Sequence, residues 1–109
     1  MKRGDLVIVS APGDYGKPRP AVIIQSDIFN ETHASILVCL TTSDRQDAPL
    51  FRIDVHPTEE TGLKVASQIM VDKIVALRRE RITQHIGQVN DETLIRLNRS
   101  LALFIGLAS

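Results

Sequence analysis

The hydrophobic pattern of this chain changes period once, near residue 90. Before that point the apolar residues fall in short, β-branched runs at residues 6–10, 21–25, 35–41 and 65–75, the last with a polar break, and Gly, Pro, Asp or Ser punctuates the gaps. Phe51, Ile53 and Val55 alternate with Arg52 and Asp54, as in a strand with one wet face. After that point Leu94, Leu97, Leu101, Phe104 and Ile105 recur at steps of three, four, three and one, the apolar stripe of a helix. The pattern predicts five or so short, curved strands followed by one helix over about residues 91–107. Asn90 or Asp91 can cap that helix, and Asp91 and Glu92 complement the positive end of its dipole. Ile95, Ala102 and Leu103 widen its apolar surface, so it either lies buried on two sides or faces a core and a partner.

At 109 residues the chain is long enough for one core, and one domain over residues 1–109 is expected. Thirteen Lys and Arg balance thirteen Asp and Glu, so any polyanion must be met by a local patch rather than by bulk charge. The one cysteine, Cys39, sits in an apolar run and reads as a buried small hydrophobe. No intramolecular disulfide is possible, which suits a reducing cytoplasm. The start Met1-Lys2-Arg3 is followed by Asp5 and Pro12-Gly13, and the apolar run between them is too short for a signal peptide or a membrane span. A cytoplasmic protein with no membrane segment is expected.

Several familiar chemistries lack their residues. His33, His56 and His85 have no Cys or carboxylate at ligand spacing, so neither metal nor cofactor is expected. The segment Gly13-Asp14-Tyr15-Gly16 lacks the Lys-Ser/Thr and helix start of a phosphate-binding loop. Asp44 and Asp47 fall in a polar loop, where solvated carboxylates are the simpler reading. Asp72-Lys73 and Arg78-Arg79-Glu80-Arg81 read as wet surface or a short helical turn.

One segment is unusual. In Lys17-Pro18-Arg19-Pro20 an arginine between two prolines runs into the apolar strand 21–25. Each proline fixes its own φ and disfavours the α region for the residue before it, so Lys17 and Arg19 should both be extended. Arg19 is then either a planar phosphate-binding cation at the mouth of a strand or a surface partner for a carboxylate.

Four blocks carry a resemblance. Lys2-Arg3-Gly4-Asp5-Leu6-Val7, Pro18-Arg19-Pro20-Ala21-Val22-Ile23-Ile24-Gln25, Val38-Cys39-Leu40-Thr41-Thr42-Ser43 and Ser67-Gln68-Ile69-Met70-Val71-Asp72-Lys73 resemble, in order, the successive blocks of the PemK/MazF toxins. The closing helix at 90–107 is similar as well, so the likeness spans nearly the whole chain. It implies a mainly β, SH3-like barrel with a C-terminal α-helix, assembled as a homodimer. It also implies a sequence-specific endoribonuclease of a type II toxin–antitoxin pair, cutting single-stranded RNA and silenced by a cognate antitoxin.

The resemblance assigns catalysis to Arg19 and Thr42, with Gln68 and Ser67 as hydrogen-bonding support. Arg19 would face charge building on the equatorial oxygens of a phosphate attacked by its own 2′-hydroxyl. Thr42 would bond a phosphate oxygen or that hydroxyl; read alone, it is a strand-end residue capping its own turn. Tyr15 and Phe51 are candidates for stacking bases, and Lys17, Arg45 and Arg52 for binding phosphates. The chain departs from the PemK branch, which places an arginine and an aspartate just before the glutamine of the last block. Here those positions are Val65 and Ser67, neither of which is a general base at neutral pH. Two other readings stand beside the nuclease: a CcdB-type gyrase poison, whose C-terminal tryptophan this chain lacks, and a noncatalytic SH3-like binding module, for which its low aromatic content provides few stacked rings.

Overall fold

The computed structural model describes residues 1–13 and 17–109. Its strands are β1 (Asp5–Val9), β2 (Arg19–Ile23), β3 (Ser35–Thr42), β4 (Arg52–Val55), β5 (Ser67–Arg78) and β6 (Ile82–Gln88). They form one antiparallel sheet in the order β4-β5-β3-β2-β1-β6. A four-residue helix, α1 (Asp27–Asn30), links β2 to β3, and α2 (Asp91–Phe104) closes the chain. The hydrogen-bonded ladder leaves β4 and β6 as its two ends, so the barrel is not closed. The sheet has six strands where the sequence pattern predicts five, β6 being the addition.

Side chains alternate between two cores. Leu6, Val22, Cys39, Ile69 and Val71 meet Leu97 and Leu101 of α2, while Val7, Val9, Ala21, Ile23, Val38 and Met70 fill the other side. Successive strand residues point to opposite faces, so β1, β2, β3 and β5 each feed both clusters, while Ile53 and Val55 of β4 join only the one against α2. The register shifts between Leu6 and Val7 and between Ile8 and Val9 in β1–β6, and between Cys39 and Thr41 in β3–β5.

The closing helix ends earlier than its apolar stripe suggests. The Asn90 side chain accepts the Thr93 N–H at 2.8 Å, fixing Asn90 as the cap. At the far end Gly106 takes φ +86°, and Leu107 N–H reaches back to the Ala102 carbonyl at 2.7 Å. Ile105 and Leu107 therefore lie beyond the helix and are exposed, as are Leu103 and Phe104 within it. Among the described residues no helix is long and apolar enough to cross a membrane.

Candidate active site

The site begins where two strands part. The β2–β3 ladder stops at Ala21↔Leu40, whereas β2 continues against β1 through Pro20↔Ile8 and Arg19↔Val9. Proline cannot donate to a ladder, so Pro20 is tolerated in this central strand only near its start. Thr41 takes over there, donating its hydroxyl to the Pro20 carbonyl at 2.8 Å. Beyond that contact lies a groove of about 500 Å³ whose lining includes Lys17, Arg19, Thr42, Ser43, Lys64, Ser67 and Gln84. Arg19, the first residue of β2, and Thr42, the last of β3, thus reach one cavity from different strands.

The hydroxyls are oriented. Thr42 Oγ1 accepts the Asp44 N–H at 3.0 Å, which leaves its own proton to donate into the groove. Thr42 therefore caps its own turn and lines the cavity at once. Ser67 is buried and donates Oγ–H to the Val65 carbonyl at 3.0 Å, leaving its oxygen as an acceptor.

The predicted residues divide. Arg19, Thr42, Lys17 and Ser67 line the groove together. Gln68 does not: its buried amide donates to the Gln46 carbonyl and to Asp54 Oδ1, both at 2.9 Å, and accepts the Gln46 N–H at 2.9 Å. It holds the loop that follows Thr42. Arg45 lies exposed on that loop and outside the lining. Phe51 and Arg52, read from the sequence as a base-stacking and a phosphate-binding residue, stand outside this lining. The Phe51 ring packs on the core with its centroid 6.3 Å from that of Phe104. The Arg52 side chain is only 8% exposed and pairs with Asp72 at 3.3 Å, so its charge is already matched. Tyr15 lies outside the described residues.

Sequence reasoning missed Lys64 and Gln84. Neither has a local signature, Lys64 standing between Leu63 and Val65 and Gln84 between Thr83 and His85, and only the fold of residues 62–65 and β6 brings them to Arg19's groove. Among the described residues the lining holds no Asp, Glu, His or Cys, and no cluster of three such residues occurs elsewhere. The groove is locally cationic in a chain of zero formal charge.

An antiparallel sheet backed by one terminal helix, with an arginine and a threonine lining one cationic groove, defines the class of small β protein to which this chain belongs. The family model of PemK-like, MazF-like toxins of type II toxin–antitoxin systems matches residues 2–105, and the chain belongs to that family. It is 43% identical over 109 residues to the probable endoribonuclease MazF of Mycolicibacterium smegmatis, covering 99% of each chain. It is 25% identical over 111 residues to endoribonuclease EndoA of Bacillus subtilis, covering 98% of this chain and 96% of that one. A mycobacterial endoribonuclease solved with its cognate antitoxin superposes with a TM-score of 0.84 at 20% identity, over 100% of this chain and 98% of the other. A MazE–MazF structure from Deinococcus radiodurans gives 0.81 at 18% identity, over 99% and 97%. These structures share the fold.

Proposed function

We propose that the groove around Arg19 is the active site of an endoribonuclease toxin that cuts single-stranded RNA without a metal ion. The convergence of Arg19 and Thr42 on one cavity with no acid in its described lining, in a chain of this family, carries the reading. With no carboxylate, imidazole or thiol in the described lining, the nucleophile comes from the substrate as the ribose 2′-hydroxyl. The O2′–P bond forms as the P–O5′ bond breaks. Water takes the proton from O2′ and returns one to O5′, and the products carry a 2′,3′-cyclic phosphate and a 5′-hydroxyl.

Arg19 stabilises the charge that grows on the non-bridging oxygens, and its extended, proline-flanked backbone preorganises it. Thr42 donates its free proton to one of those oxygens. Lys17 holds the backbone nearby, while Ser67 and Gln68 act through hydrogen bonds, Ser67 at the groove wall and Gln68 through the loop. Single-stranded RNA fits better than duplex because in-line attack needs a backbone free to rotate.

The protein acts in the cytoplasm, and a cognate antitoxin blocks the groove. It works as a homodimer, for which the exposed Leu103, Phe104, Ile105 and Leu107 supply an apolar surface. Incubation of a long RNA with the protein in EDTA, followed by mass spectrometry of the fragments, tests the reaction. A cyclic phosphate or its hydrolysed 3′-phosphate on the upstream fragment supports it. A 3′-hydroxyl there, with a 5′-phosphate downstream, means that water was the nucleophile and refutes it.

A further inference from the structure

Residues 62–65 form a stretch of the groove lining for which the mechanism above has no use. Lys64 is the one cation on it, exposed between the buried Leu63 and the half-exposed Val65. The segment leading to Lys64 is braced at every step. Thr61 Oγ1 accepts the Thr58 N–H at 3.0 Å and donates to the His56 carbonyl at 2.9 Å. Gly62 N–H donates to the Thr58 carbonyl at 2.9 Å, and Gln88 N–H donates to the Glu60 carbonyl at 3.0 Å.

Two glycines allow this brace to lie directly against β6. Gly62 adopts φ +69°, and a Cβ there would fall 2.0 Å from the Ile86 carbonyl oxygen. A Cβ on Gly87 would fall 2.3 Å from the Glu60 carbonyl oxygen. The backbone contact is therefore closer than any side chain permits, and it fixes the Cα of Lys64 on the groove. The result is a third cation, with Lys17 and Arg19, in a cavity whose described lining has no acid. A polyanion with evenly spaced charges can meet several cations of one cleft at once.

We propose that Lys64 is an RNA-contacting residue, binding a backbone phosphate next to the scissile one. The assignment rests on the endoribonuclease reading of the groove. Lys64 then contributes to holding substrate and to its register, while Arg19 contributes to the transition state, so loss of Lys64 raises KM and loss of Arg19 lowers kcat.

The probe is the RNA oligonucleotide that the wild-type protein cuts, made uncleavable by one 2′-deoxy nucleotide on the 5′ side of the scissile phosphate. Its affinity is measured from about 50 to 300 mM salt for the wild type, Lys64→Gln, Lys64→Arg and, as a control on an exposed residue outside the groove, Lys73→Gln. Each phosphate contact on a single strand contributes a slope of about 0.7 in log affinity against log salt. Lys64→Gln should flatten the slope by about 0.7, weaken binding several-fold at low salt, and raise KM with kcat within about twofold. Lys64→Arg and Lys73→Gln should match the wild type. A wild-type slope for Lys64→Gln, or a fall in kcat at constant KM, overturns the assignment while leaving the nuclease reading intact. A wild-type protein that neither binds nor cuts RNA overturns both.

Discussion

Gln68 grips Gln46 by both ends of its backbone, accepting the Gln46 N–H at Oε1 and donating Nε2 to the Gln46 carbonyl, each at 2.9 Å. A side-chain amide here does the work of a neighbouring strand. Gln68 is also the register partner of Thr42 on β3 and of Asp54 on β4. One β5 residue thus ties the strand end that carries Thr42 to the loop that follows it.

Replacing Gln68 by leucine should cost about 1–3 kcal/mol, since three hydrogen bonds are lost and the exposed loop regains only water. Gln68→Glu should cost more at neutral pH, because a carboxylate cannot donate to the Gln46 carbonyl and would face Asp54. Acidification should restore part of the deficit. Urea unfolding at two pH values, with hydrogen exchange at the Gln46 amide, checks both statements.

Gly62→Ala and Gly87→Ala should each destabilise the protein by more than about 2 kcal/mol, since the added carbon would overlap backbone oxygens that cannot move independently. Gly13 provides the comparison: it has positive φ, but a Cβ there meets nothing within 4 Å, so Gly13→Ala should cost less. Thermal unfolding of the three variants orders them.

Burial pushes the Cys39 thiol up from 9.0 to about 12, outweighing the opposing pull of Arg3. The unfolded chain releases this proton first, so between pH 9 and pH 12 it binds fewer protons than the native state. Stability from this source is complete below pH 9 and falls as pH rises, by up to about 1.4 kcal/mol per pH unit. Cys39→Ala should lose that part of the alkaline slope, read from denaturant midpoints. A thiol reagent at pH 8 should label the native wild type only as fast as it unfolds.

Light scattering at micromolar concentration should give twice 12.1 kDa. A protein that cuts RNA at the mass of one chain would contradict the dimer.

Much of the fold is written locally. The apolar runs that became β1, β2, β3 and β5 bury both faces, and the alternation of residues 51–55 marks β4. β6 was illegible because only Ile82 and Ile86 are large and apolar in it, and its partner β1 lies at the other end of the chain. α1 is a single turn capped by Ser26, too short to show a period. At the site, Arg19 and Thr42 were legible through the proline frame and the family blocks. The partners of Phe51 and Arg52 were not legible, because an aromatic beside a cation looks the same in sequence whatever it meets, and Phe104 and Asp72 are brought to them by tertiary packing alone. Lys64 had no signal, since its place depends on a backbone contact between Gly62 and β6.

If Arg19 acts on the reacting phosphate, single-turnover cleavage by Arg19→Ala and Arg19→Lys must show it. Arg19→Ala should stay folded, within about 1 kcal/mol of the wild type, because the side chain sits at a strand end on the groove. Its cleavage rate should fall by about 100-fold or more, the scale of losing a preorganised donor to a developing oxyanion. Arg19→Lys should recover little of it, since an ammonium cannot reproduce the planar two-donor contact. A folded Arg19→Ala that cuts RNA at the wild-type rate would place the active site elsewhere.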